Sequence, residues 1–109
     1  MPKGYMIEKI EDASVFVSKM RSFDENSIEC TPHTLFRLSE GQRKVFACDI
    51  LKGILLNKVP LKVCIQYNGN YATYYKYKEQ SIIKIIVSIK TTFIRIVTFM
   101  IVAESQIPK

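Results

Sequence analysis

The stretch from Leu61 to Val102 does most to limit what this chain can become. It is a succession of β-prone segments separated by turn signals. Leu61–Tyr67 and Tyr71–Tyr77 flank Asn68-Gly69-Asn70, and Asn-Gly accepts the positive φ angles of a tight hairpin turn. Lys78-Glu79-Gln80 makes the next break; Ser81–Ile89 and Phe93–Val102 then follow, parted near Lys90-Thr91-Thr92. The pattern predicts a four-stranded antiparallel meander. With a two-residue turn at Asn68-Gly69, Leu61, Val63 and Ile65 share a face with Ala72 and Tyr74, while Gln66, Tyr71, Thr73, Tyr75 and Tyr77 take the other. A three-residue turn would exchange the faces of one strand relative to the other.

Residues 82–103 are about as long as a membrane span. Lys84, Lys90 and Arg95 lie within them, and each charge near a bilayer centre costs roughly 2.5–3.5 kcal/mol. Their Ile, Val, Thr and Phe suit a pleated surface better, so no membrane partner is expected.

Helices are expected to cover this sheet. In residues 6–22, Ile10, Ala13, Val17 and Met20 recur at helical spacing. Ile28–Thr31 is either a short edge strand or a lead-in. Thr31 is suited to cap a helix whose first position is Pro32, which places His33 and Arg37 one turn apart. Ser39 and Gln42 have capping-box spacing for a helix over about residues 40–56, with Ala47, Ile50, Leu51 and Ile54 as its buried stripe and Phe46 and Leu55 beside it. The expected fold is α+β, two or so helices on one face of a four-stranded antiparallel sheet. At 109 residues it is a single domain, 1–109, with an N-terminal helical segment over 1–27 and the helix-plus-sheet core over 28–103.

Charge is distributed unevenly. Residues 1–60 carry nine Lys/Arg against eight Asp/Glu; residues 61–109 carry seven against two. The sheet region therefore holds the basic excess, which attracts phosphate backbones or acidic partners. Cys30, Cys48 and Cys64 have no metal-ligand spacing and read as reduced, mostly buried thiols. The first residues lack the apolar run of a secretion signal, so a cytoplasmic and complete chain is expected.

No phosphate-binding glycine loop, metal cluster or carboxylate pair stands out, and no cofactor or metal is expected. What is present is the sole His, several Arg and Lys, several Tyr, and Thr98 on the last strand. That inventory suits metal-independent RNA cleavage, because the 2′-hydroxyl is itself the nucleophile and the protein supplies a base, an acid and cationic stabilisation. In this reading His33 is general base or acid, Arg37 clamps the phosphate, and Tyr75 and Thr98 are supporting hydroxyls. Arg43, Lys44, Lys76 and Tyr71 are the candidate nucleic-acid contacts, with tyrosines among lysines offering stacking surface, or else forming cross-strand pairs for stability.

The order His33-x-x-x-Arg37, a helix carrying Arg43-Lys44, a Tyr-rich hairpin, then Ile96-Val97-Thr98-Phe99 resembles a group of small prokaryotic domains classed with the RelE-like and BrnT-like ribonuclease toxins. Those domains open with a His-Ala-x-x-Arg-like helix start and close with an Ile-Thr-Val-like strand; the likeness covers roughly residues 28–103. It implies that His33 and Arg37 lie in an active site with Thr98 close by, and that a protein antitoxin is a partner. Thr34 departs from the usual Ala, and Ser39-Glu40-Gly41-Gln42 replaces an Arg-Gly-Ile pattern. The alternative from a different class is a non-catalytic basic protein that binds RNA or a protein partner. A homodimer through the edge of Phe93–Val102 is a further expectation, because a long apolar edge strand needs cover.

Overall fold

The computed structural model describes residues 6–30 and 48–108. Their elements run β1 (Ile7–Glu11), α1 (Ala13–Arg21), a 3-10 turn (Glu25–Ser27), β2 (Ile28–Cys30), α2 (Cys48–Asn57), β3 (Lys62–Gln66), β4 (Tyr71–Lys78), β5 (Ser81–Ile89), β6 (Ile94–Ala103) and a closing 3-10 turn (Glu104–Gln106). The protein is α+β, with both described helices on one side of a six-stranded mixed sheet of order β1-β3-β4-β5-β6-β2. The expected antiparallel meander forms its centre. The sheet is wider than four strands because β1 adds to β3 in antiparallel fashion and β2 adds to β6 in parallel.

The N-terminal segment corrects the helix expected over residues 6–22. Asp12 divides it: its side chain accepts from Ser14 N at 2.8 Å, the arrangement of a helix N-cap, so the helix starts only at Ala13. Phe16 and Met20 are the buried positions of α1, whereas Ile10 lies on β1 and is exposed. Helical spacing at 10, 13, 17 and 20 was therefore half coincidence; β3 offered an unpaired edge, and Ile7–Glu11 took it. In α2, Leu51 and Leu55 are buried and Ile50 is exposed, so the buried stripe is displaced from the expected one. The expected capping box at Ser39 and Gln42 lies outside the described residues.

The β3–β4 hairpin decides which side chains meet the helices. Its loop has three residues, Tyr67-Asn68-Gly69: Gly69 N donates to Gln66 O at 2.9 Å, and Gln66 N donates to Asn70 O at 2.8 Å. Gly69 sits at φ +88°, as a type I turn followed by a left-handed residue requires. The register is Lys62↔Tyr74, Val63↔Thr73, Cys64↔Ala72 and Ile65↔Tyr71, which reverses the facial partners expected from a two-residue turn. Val63, Tyr71, Tyr75 and Tyr77 therefore share the helix side of the sheet. There they join Ile83, Ile85, Val87, Ile94, Ile96 and Phe99, packed against Phe16, Met20, Leu51 and Leu55.

The other face carries a smaller apolar cluster of Cys64, Ala72, Tyr74, Ile82 and Ile86, with Val97, Val102 and Ile107 of the C-terminal segment against it. A bulge between the pairs Ile86↔Thr98 and Val87↔Ile96 accommodates the extra residue Val97.

The cysteines also differ from expectation. Cys30 and Cys48 form a disulfide, joining the end of β2 to the start of α2; Cys64 alone is a free thiol among the described residues. Nothing in their spacing announced the bond, because β2 and α2 meet only in the folded chain. No helix among the described residues is long and apolar enough to cross a membrane.

Candidate nucleic-acid interface

Strands β3 to β6 contain Lys62, Lys76, Lys78, Lys84 and Arg95 and not one Asp or Glu. Alternation sorts these cations. The helix side is a packed core, and a charge there would be desolvated without a partner. Register places Lys62, Lys76, Lys84 and Arg95 on the far side, alongside Tyr74, Ile82, Met100 and Ser88. Lys62, Tyr74, Lys84 and Met100 stand directly opposite one another on successive strands, so they form one row across the sheet.

Within that row Tyr74 is buried, and Lys84 Nζ lies 5.6 Å from its ring centroid. Such a contact holds the ammonium without neutralising it. Burial pushes the Tyr74 hydroxyl and the neighbouring Cys64 thiol up; Lys62 and Lys84 act against the rise at Cys64. Both lysines therefore project their fields over the same buried patch. Lys76 is exposed and donates to Glu79 O at 2.7 Å. Arg95 is partly spent, its Nε donating to Glu29 Oε1 at 2.7 Å in an exposed ion pair. An open depression lined by Lys78, Glu79, Gln80 and Ser81 lies at the β4–β5 turn, next to Lys76.

The candidate residues are divided by the sheet. His33, Arg37, Arg43 and Lys44 lie outside the described residues. Thr98 pairs with Ile86 on the far side, half-buried. Tyr75 is on the helix side, 1 % exposed, and its hydroxyl has no hydrogen-bond partner among the described residues. Burial pushes that hydroxyl far above the usual phenol range. Tyr75 and Thr98 are thus on opposite faces and cannot orient one phosphate together.

Tyr71 is also on the helix side. Its hydroxyl accepts from Lys19 Nζ at 2.9 Å, Phe16 packs on its ring at 5.8 Å between centroids, and Lys19 also pairs with Glu11 at 3.5 Å. The hydrogen bond to Tyr71 raises the Lys19 pKa, with burial opposing it and Glu11 adding to it. Tyr71 therefore ties α1 to the sheet rather than offering a ring for stacking. Of the contacts named from sequence, Lys76 alone among the described ones is a free-standing cation on the far side. Lys62 and Lys84 went unnamed; their signal was a lysine at the same alternate positions as Tyr74, legible only once the register is known.

No group of His, Cys, Asp and Glu among the described residues is arranged to hold a metal ion. No family model matches the chain, and neither a curated protein nor a solved structure matches it.

Proposed function

We propose that this protein binds RNA on the far side of its sheet and cleaves it without a metal, as a ribonuclease of the RelE-like kind paired with a protein antitoxin. The observation that carries the reading is a sheet face with cations from four strand positions and no strand carboxylate. A face that merely meets water carries both signs; one sign alone draws an anionic polymer towards it.

The chemistry needs little more. His33 takes the 2′-hydroxyl proton, the oxygen attacks the adjacent phosphorus, and the 5′-oxygen leaves as it is protonated. The product ends in a 2′,3′-cyclic phosphate. Arg37 holds the non-bridging oxygens, and Lys62, Lys76 and Lys84 hold flanking phosphates. Tyr75 and Tyr71 have no part in this scheme, because one is sealed in the core and the other is engaged by Lys19. Thr98 keeps a supporting role on the far side.

A cytoplasmic site of action belongs to this reading, and the Cys30–Cys48 bond then falls among the redox-responsive disulfides found in reducing compartments. A second copy of the chain remains a candidate partner beside the antitoxin. The second reading, RNA binding without cleavage, draws on the same basic face.

Incubation with end-labelled RNA in EDTA separates the readings. Fragments ending in cyclic phosphate are expected from the wild type, and a loss of rate on the order of 10²-fold or more in His33→Ala. Salt-sensitive binding without fragments establishes the second reading. Absence of both binding and fragments removes RNA from the function altogether.

A further inference from the structure

The weakest seam of the sheet and its only described cross-link coincide. Strand β2 has three residues, lies at the end of the sheet and pairs with β6 alone, from Ile28↔Ile94 to Cys30↔Ile96. Parallel pairing is the less stable kind, and three residues give few bonds. Its other ties are the buried Ile28 side chain and the exposed Glu29–Arg95 pair, and an ion pair so exposed contributes little. The disulfide fastens this strand to the first residue of α2.

Accessibility favours reduction. Cys30 and Cys48 are half-buried, within reach of a small dithiol. Cys64 is fully buried on the far side of β3, its thiol pushed up by burial. Disulfide exchange requires a thiolate with access to sulfur, so Cys64 does not scramble the pair. The cross-link consequently has two clean states.

We infer that Cys30–Cys48 is a redox latch: a dithiol reductant opens it, and edge strand β2 then detaches from β6 while the meander stays folded. A reductant thiolate attacks one cysteine sulfur, the S–S bond breaks, and the other cysteine leaves as a thiolate that takes up a proton. The second reductant thiol displaces the first cysteine from the mixed disulfide in the same way. Two electrons pass to the protein and the reductant ends as its own disulfide. Opening frees a loop whose ends are separated by 18 residues, and the recovered chain entropy falls on the marginal strand first.

The inference stands apart from the RNA reading, because its test is structural. Amide hydrogen exchange and thermal unfolding of the whole chain are measured oxidised and after reduction by dithiothreitol, with thiol counting to confirm two new thiols. Exchange at Glu29 and Cys30 is expected to quicken tenfold or more, with β3, β4 and β5 within about twofold. The unfolding midpoint is expected to fall on the order of 10 °C. Cys30→Ser with Cys48→Ser should match the reduced state and ignore the reductant; Cys64→Ala should respond like the wild type. Unchanged β2 protection after confirmed reduction overturns the latch. Loss of protection throughout β3–β5, or a bond that resists the reductant in the folded chain, overturns it equally.

Discussion

Tyr75 is the residue at which chemistry and packing disagree. Its ring fills the space between β4 and the helices, yet its hydroxyl is buried with no partner among the described residues. An unsatisfied hydroxyl in a core costs about 1–3 kcal/mol. Tyr75→Phe keeps the ring and removes the cost, so the variant should unfold at the same temperature or higher, gaining up to about 1 kcal/mol, with RNA cleavage unaltered. Calorimetry beside the EDTA cleavage assay checks both halves; a stable variant with a tenfold slower rate would return Tyr75 to the active site. The sequence marked Tyr75 as one of several alternating tyrosines. It did not say which side they faced, since that depended on a turn elsewhere.

That turn belongs to the scale of elements. Asn68-Gly69 was legible as a hairpin signal; the loop length was not, because two- and three-residue loops both accept glycine at a positive φ. Gly69 has φ +88°, and a Cβ there would meet nothing within 4 Å. The cost of Gly69→Ala is therefore backbone strain alone, about 1 kcal/mol, read as a lower unfolding midpoint with RNA binding kept. A variant as stable as the wild type would mean that the loop adopts another turn. The four meander strands were legible for a related reason: each is long, β-branched and bounded by turn residues. β1 was not, since Ile7–Glu11 has no strict alternation, and its identity came from the vacant edge of β3. The helices were half legible. Periodicity found α1 and α2, but caps and packing set where α1 begins and which stripe of α2 is buried.

For the whole molecule, charge is the quantity that sequence and structure share. The imbalance after residue 60 was visible in composition, and the fold gathers it onto one face by burying the opposite one. Lys62→Gln with Lys84→Gln removes two cations from the central row, both away from the helix core. Affinity for a single-stranded oligonucleotide should fall, and the slope of log K against log salt should shrink by about 1.4, at about 0.7 per phosphate contact. Replacing Lys9 and Lys52 instead should change the slope little. Equal slopes in the two pairs would remove the far face as the interface.

Local chemistry along the chain was enough to determine the antiparallel meander, the helical segments, the basic second half and a solitary imidazole near Arg37, because each depends on neighbours within a few residues. Tertiary structure alone decided the strand β1, the disulfide, the side of the sheet that each tyrosine and lysine occupies, and the parting of Tyr75 from Thr98. Those follow from pairings between residues distant in sequence: a one-residue difference in a hairpin loop turns a strand over, and only the packed chain selects between the two.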